Sequence, residues 1–194
     1  MDQPVEQLEA DSPALFRGKL WFWVLTPVLT IFDLCSKAAV FAYLETAQPS
    51  VPEAQRSVSV FAGVMSFSLT SWRNTGTIWG IGQAYNLPLT ILRCVAVVLL
   101  GALLWRTPRR KLLQQIVLAM IIAGAIGNLY DNFVEPEGGV RDFLLFFVKL
   151  DGEITSWPAF NFADAMICVG ATLLVISVWR SDRAGSQAKS GNSP

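Results

Sequence analysis

Four long apolar runs dominate the pattern of hydrophobic and polar positions along the chain. Each is about 19 to 25 residues long, which as an α-helix spans a hydrocarbon core of roughly 30 Å. The first run is expected to be retained, because it is longer than a signal-peptide core, contains Asp33 and Lys37, and precedes further spans. The pattern predicts an all-α membrane protein whose four transmembrane helices cover residues 20–44, 87–105, 112–130 and 160–179.

The segments that flank this membrane domain, which comprises residues 20–180, are polar. Residues 1–19 form an acidic tail with two prolines. Residues 181–194 are rich in Ser and Gly, a composition typical of disorder. Both tails are expected to be cytoplasmic because basic residues adjoin them, which is the side where such residues concentrate.

Basic residues also cluster between the second and third spans, which places that short loop in the cytoplasm. The cluster consists of Arg106, Arg109, Arg110 and Lys111. The two longer connections, residues 45–86 and 131–159, are poorer in basic residues for their length and are predicted to face outward. In the first of them, the alternating stretches Ser57–Phe61 and Ser66–Trp72 predict a small β-sheet on the membrane surface.

Composition narrows the chemistry. Lys plus Arg and Asp plus Glu number 15 each, so the net charge gives no indication of a nucleic-acid partner. The absence of histidine excludes Ser-His and Cys-His mechanisms and most zinc sites. Cys35, Cys94 and Cys168 lie far apart in apolar stretches and are interpreted as small buried hydrophobic residues, with no metal-ligand spacing.

Polar residues inside the spans require an explanation, because a charged side chain at the centre of a bilayer costs about 2.5 to 3.5 kcal/mol on insertion scales. Given the predicted topology, they converge on one layer near the outer surface, and Asp142 in the second outer loop can reach the same layer. They form three pairs at helical spacing, Asp33 with Lys37, Asn128 with Asp131, and Asn161 with Asp164. Hydrogen bonding between packed helices would explain any one of these pairs. It would not explain why all three pairs lie at the same depth.

A carboxylate cluster without histidine favours one chemistry. Two close carboxylates repel each other when both are ionised, so the pair can hold a single proton at neutral pH. One carboxylate then acts as a base for water and the other as an acid, as in aspartic proteases. The residues alone do not decide which two carboxylates form the pair.

Five short motifs follow one another along the chain. They are Asp33-Leu34-Cys35-Ser36-Lys37, Asn74-Thr75-Gly76 with Gly80, Gly127-Asn128-Leu129-Tyr130-Asp131, Val140-Arg141-Asp142-Phe143 and Phe160-Asn161-Phe162-Ala163-Asp164. Any single motif is weak, whereas five in order are specific. Together they resemble the motifs of the lipoprotein signal peptidases, or signal peptidase II, over nearly the whole length.

The resemblance implies a monomeric aspartic endopeptidase of the bacterial cytoplasmic (inner) membrane, with a β-sheet cradle and its active site at the outer face, and without cofactor or metal. Asp142 and Asp164 match the catalytic pair. The substrate would be diacylglyceryl-modified prolipoprotein, cut before its lipidated cysteine within membrane lipid, and globomycin-type cyclic peptides would inhibit. Supporting or substrate-binding positions are Asp33, Lys37, Asn74, Gly76, Asn128, Asp131, Arg141 and Asn161.

The chain departs from the family pattern at three places. Asn132 stands where an arginine usually follows Asn-x-x-Asp, so that cation is missing or is supplied by Arg141 or Arg73. The segment 77–79 replaces commoner small residues and Phe, and residues 135–138 resemble an insertion.

Two other classes of function remain open from the residues. A carrier or proton-coupled channel also uses intramembrane carboxylates, although it would distribute them over several depths and use repeats or broken helices. A non-catalytic membrane protein that binds lipidated segments is disfavoured only by the intact carboxylate pair.

Overall fold

The computed structural model describes residues 19–61, 63–76, 86–150 and 153–190. Within these residues it contains four long helices, each apolar and long enough to cross a membrane. The predicted architecture is confirmed. The helices are α1 (Leu20–Ala47), α2 (Asn86–Arg106), α3 (Leu112–Val134) and α4 (Phe162–Ser190).

The helix α3 lies at the centre of the bundle and packs against the other three. Its buried side includes Leu118, Ala119 and Ile122, which join Phe22 of α1 and Leu104 of α2 in one apolar cluster. Glycines let α4 approach closely. A Cβ at position 124 would collide with the backbone of α4, as small residues at transmembrane helix contacts allow.

A four-stranded antiparallel sheet lies at one end of the bundle, in the order β1-β2-β3-β4. It is larger than the sheet predicted within residues 45–86, because the connection of residues 131–159 contributes half of it. This second connection contains a long run of apolar and aromatic residues, which suits a strand paired on both sides. The strands are β1 (Ser57–Phe61), β2 (Met65–Asn74), β3 (Val140–Leu150) and β4 (Glu153–Ser156).

The start of β3 meets the start of α4. The Leu144 backbone N–H donates to the carbonyl of Phe160 at 2.8 Å, and the Phe160 N–H donates back at 3.0 Å. The register between β2 and β3 pairs Trp72 with Asp142 and Asn74 with Val140. These contacts bring the sequence motifs on β2, β3 and α4 to one place.

The three cysteines are exposed on the surface of the bundle, and the expectation that they are buried is wrong. The reason is physical. A transmembrane helix presents apolar residues to lipid, so a thiol in an apolar stretch needs no packing inside the protein. Lipid-facing and protein-facing positions therefore look alike in hydropathy.

Candidate active site

Asp164 is fixed by the helix that begins beside it. The Asp164 N–H donates to the Asn161 side-chain oxygen at 2.9 Å, and the Asn161 N–H donates back to Asp164 Oδ2 at 3.3 Å. This reciprocal arrangement is a capping box, which satisfies N–H groups that a helix start leaves without partners. The Asn-x-x-Asp spacing therefore both starts α4 and orients the Asp164 carboxylate.

A chain of buried contacts holds the other oxygen of Asp164. Asn128 of α3 donates from Nδ2 to Asp164 Oδ1 at 2.8 Å. Lys37 of α1 donates to the Asn128 side-chain oxygen at 2.9 Å. Because an ammonium group can only donate, Lys37 turns the Asn128 oxygen toward itself and leaves the amide N–H for Asp164.

Asp142 lies on β3 and is 1% exposed. Asn161 Nδ2 donates to Asp142 Oδ1 at 2.7 Å, so a single asparagine contacts both Asp142 and Asp164. Burial raises the pKa of the Asp142 carboxyl to about 7, and the Asp164 charge adds to the rise. The side chains of Asn74, Asn161 and Lys37 act in the opposite direction without cancelling it.

Asp131, near the C-terminal end of α3, anchors the start of β3. Its carboxylate accepts the Arg141 backbone N–H at 3.1 Å and the Arg141 guanidinium at 2.7 and 3.1 Å. Lys37 Nζ lies 3.1 Å from its other side. Asp131 thereby fixes the residue immediately before Asp142. Asn128 and Asp131 have the same spacing as the capping pair on α4, yet Asp131 caps no helix among the described residues.

Asp33 joins α1 to the first turn of α4. Its carboxylate accepts the Ala163 N–H at 2.9 Å and lies 2.7 Å from Lys37 Nζ. Both side chains of this ion pair are fully buried. Removing one partner would leave an uncompensated buried charge, which typically costs about 3–5 kcal/mol.

Asn74 and Gly76 form a tight turn at the end of β2. The Gly76 N–H donates to the Asn74 side-chain oxygen at 3.0 Å, and Gly76 has a φ of 80° that favours glycine. Asn74 also stabilises the ionised form of Asp142. Gly80 and the segment 77–79 lie outside the described residues.

The arginines expected to replace the cation missing at Asn132 are engaged elsewhere. Arg141 binds Asp131 and lies 3.3 Å from Glu135. Arg73 forms ion pairs with Glu135, at 2.9 Å, and with Glu53. Glu135, in the insertion, therefore links both arginines, a role that sequence reasoning missed.

Arg93 of α2 was also missed as a site residue. Its guanidinium donates to the Asn132 side-chain oxygen at 2.6 Å. The signal was present in the sequence, because Arg93 is the only charged residue of α2 before Arg106 at its end.

An apolar groove of about 620 Å³ lies on β3 and β4 and ends at Phe160, one residue before Asn161. Among the described residues, no set of three or more potential carboxylate or thiolate ligands is arranged to hold a metal ion. The chemistry that the side chains can perform is proton exchange between two unequal carboxyl groups. The groove is lined by Met65, Phe146, Val148, Leu150, Thr155, Ser156, Trp157 and Phe160.

The helices, the sheet and the buried carboxyl pair define a multi-pass membrane protein with an acid–base site where bundle and sheet meet. Residues 25–180 match the family model for peptidase A8, signal peptidase (SPase) II. The chain belongs to the signal peptidase II family and is a membrane protease. Membership does not favour a carrier or a non-catalytic binding protein.

Relatives and solved structures agree with this assignment. The chain is 31% identical to a lipoprotein signal peptidase of Lactiplantibacillus plantarum, over 84% of this chain and 97% of the relative. It is 32% identical to one of Photorhabdus laumondii, over 88% and 94%. A bacterial membrane enzyme solved by the in meso method shares the fold, with a TM-score of 0.63, 23% identity and coverage of 86% and 91%.

Proposed function

We propose that the chain is an aspartic endopeptidase that removes the signal peptide from diacylglyceryl-modified prolipoproteins, cutting before the lipidated cysteine. Asp142 and Asp164 are its catalytic pair. The observation that carries the proposal is the contact of both carboxyl groups with one asparagine, Asn161, in unequal surroundings.

The unequal surroundings assign the roles. Asp142, with its raised pKa, holds a proton near neutral pH and acts as the acid. Asp164 accepts hydrogen bonds from Asn128 and Asn161 and acts as the base. Together they meet the requirement of an aspartic protease for one protonated and one ionised carboxyl group.

The reaction then needs two steps. In the first, Asp164 takes a proton from water as the water oxygen bonds to the scissile carbonyl carbon, and Asp142 gives its proton to the carbonyl oxygen. In the second, a hydroxyl of the resulting gem-diol returns a proton to Asp142, Asp164 protonates the amine nitrogen, and the C–N bond breaks. Both carboxyl groups regain their starting protonation states.

The remaining site residues serve this pair. Asn128 and Asn161 orient the carboxylates, Lys37 and Asp33 orient Asn128 and the start of α4, and Asp131 with Arg141 holds β3. Asn74 and Gly76 shape the turn beside Asp142. The groove that includes Phe160, one residue before Asn161, offers an apolar surface to the substrate.

A cleavage assay tests the proposal. Purified chain is mixed with lipidated prolipoprotein and the product is followed by gel shift, with Asp142→Asn and Asp164→Asn as variants. The wild type should cleave, be blocked by globomycin and withstand strong chelators, since no step uses a metal. Both variants should lose cleavage. Near wild-type cleavage by either variant, or loss of wild-type cleavage on chelation, would overturn the proposal.

The proposed localisation is the bacterial inner membrane, with a monomeric chain, both termini in the cytoplasm and the site at the outer face. The charge distribution of the loops supports it. In a background without the native cysteines, a cysteine at position 57 should react with an impermeant maleimide from outside, and one at position 107 should not. The reverse labelling pattern would contradict the proposed topology.

A further inference from the structure

Arg93 places a guanidinium beside the catalytic pair from a helix that contributes no other charge there. The side chain is half-buried, and its charge interacts more strongly with Asp164 than with Asp142 or Asp131. Its Nη1 donates to Asn132 Oδ1 at 2.6 Å. Asn132 is itself oriented, because its Nδ2 donates to the Gly138 carbonyl at 2.6 Å and so turns its oxygen toward Arg93.

The guanidinium differs from the other two near the site. Arg141 and Arg73 are each paired with carboxylates. Within the described residues Arg93 has no carboxylate within ion-pair distance and one hydrogen-bond partner, a neutral amide. A guanidinium has five N–H donors in a planar fork, so most of those of Arg93 remain available to a ligand.

We propose that Arg93 binds the substrate at a carbonyl oxygen next to the scissile bond, and that Asn132 positions it there. In the family pattern an arginine follows Asn-x-x-Asp on the third helix, where this chain has Asn132. Here the cation comes from α2, and the third helix provides the amide that holds it. Because α2 packs against α3, the long Arg93 side chain reaches the same side of the site.

The chemistry fits a carbonyl group. The charge of Arg93 interacts with Asp164 and Asp142, and the carbonyl oxygens of a peptide bound at that pair are acceptors for its N–H groups. A hydrogen bond from a charged donor stabilises a complex by more than a neutral one does. The inference rests on the proposed function, since it names a contact to that substrate.

The test compares four variants in the prolipoprotein cleavage assay, with KM and kcat measured separately. Arg93→Gln should raise KM roughly 10- to 100-fold, the loss expected for one hydrogen bond from a charged donor. Arg93→Lys should recover part of that loss. The exchange variant Arg93→Gln/Asn132→Arg should recover most of it, since it places an arginine directly after Asn-x-x-Asp, as in the family pattern. Arg106→Gln, which removes a guanidinium from the far end of the same helix, should leave KM unchanged.

The outcomes separate the two proposals. If the wild type does not cleave the substrate, the proposed function fails. If the wild type cleaves and Arg93→Gln keeps its KM within twofold, the inference about Arg93 fails. A lowered Tm with unchanged KM in Arg93→Gln would show a structural role only. Should the exchange variant not fold, Arg93→Lys decides, because a KM no better than that of Arg93→Gln contradicts a cationic donor.

Discussion

Two neighbouring helices, α3 and α2, have similar lengths and are both strongly apolar, yet they have opposite environments. The span of α2 is the more apolar of the two and is almost entirely exposed on the bundle surface, whereas most of the α3 span is buried. In a soluble protein the more apolar helix would be expected inside. Here the surrounding solvent is lipid, so the apolar character of a helix does not indicate whether it is buried inside the bundle.

Small and polar residues distinguish the helices instead. On α3, Gly124 and Gly127 allow close contact with neighbouring helices, and Asn128 and Asp131 connect to the site. On α2, Arg93 is the corresponding exception, at the point where the helix borders the site. A residue that breaks the apolar pattern of a transmembrane helix therefore indicates a contact with protein or substrate.

The largest effect is expected from the residues that α3 helps to hold, Asp142 and Asp164. Each Asp→Asn variant should lower kcat at least about 10³-fold, because it removes one of the two proton-exchanging groups. The double variant should lose only a few-fold more, since residues acting as a unit are strongly non-additive. Single-turnover rates with prolipoprotein measure this.

The matched control for the pair is Glu153→Gln, which neutralises an exposed carboxylate on β4. It should cleave like the wild type. If the effects of the two single variants multiply in the double variant, the carboxyl groups act separately and the shared-proton mechanism is wrong.

A second prediction tests the difference between α3 and α2 with the same substitution. A Cβ at position 127 would collide with the Asp33 carboxylate, whereas one at position 101 of α2 meets no atom within 4 Å. Gly127→Ala should therefore destabilise the protein by about 1–3 kcal/mol through overpacking. Gly101→Ala should be neutral or slightly stabilising, because alanine favours a helix.

Thermal unfolding in detergent gives the comparison directly, since both variants differ from the wild type by one methyl group. Gly127→Ala should also lower activity, because Asp33 holds Lys37 and the start of α4. Equal melting temperatures for the two variants would show that burial of α3 does not limit the substitutions it tolerates.

The sequence predicted the helical architecture and the convergence of the site residues better than it predicted their contacts. Long hydrophobic runs predict the four helices, because the thickness of the bilayer sets the length of a helix that crosses it. The two Asn-x-x-Asp pairs looked equivalent, yet one caps α4 and the other ties α3 to β3. These two roles depend on residues that are distant in sequence, and the Asn-x-x-Asp spacing gives no information about such residues.

The strands β3 and β4 were not predicted from the sequence, for a different reason. The run in β3 is nearly continuous in apolar residues and does not alternate, so it lacks the period-two signal of a surface strand. Its partner strand, β2, lies more than sixty residues earlier in the chain, at Met65–Asn74. The hydrogen bond from Arg93 to Asn132 likewise joins residues that no sequence pattern links.

A third prediction concerns pH. Because burial raises the pKa of Asp142 to about 7, the proposed catalytic acid keeps its proton below that pH and loses it above. We expect kcat/KM, which reports the free enzyme, to fall about tenfold per pH unit above roughly 7. A profile that stays flat to pH 9 would contradict Asp142 as the acid.

The same group makes stability depend on pH. A carboxyl group whose folded pKa lies above its unfolded pKa binds protons more tightly when folded, so its contribution to stability is lost as the pH rises toward 7. Asp142→Asn stays neutral throughout. The Tm of the wild type should therefore fall relative to that of Asp142→Asn between pH 5 and pH 8, and a constant difference would argue against the raised pKa.

The smallest effects are expected from the cysteines, which are exposed on the apolar surface of the bundle. Cys94 follows Arg93 directly on α2 but is exposed, as are Cys35 and Cys168. Because an exposed thiol on a transmembrane helix contacts lipid, Cys→Ala should change kcat/KM less than twofold and leave Tm within about 2 °C, as for surface substitutions. The contrast with Arg93→Gln, one residue away, isolates the side of α2 that borders the site. If Cys94→Ala impaired cleavage as strongly as Arg93→Gln, the whole N-terminal part of α2 would be sensitive, and the sensitivity could not be assigned to the guanidinium.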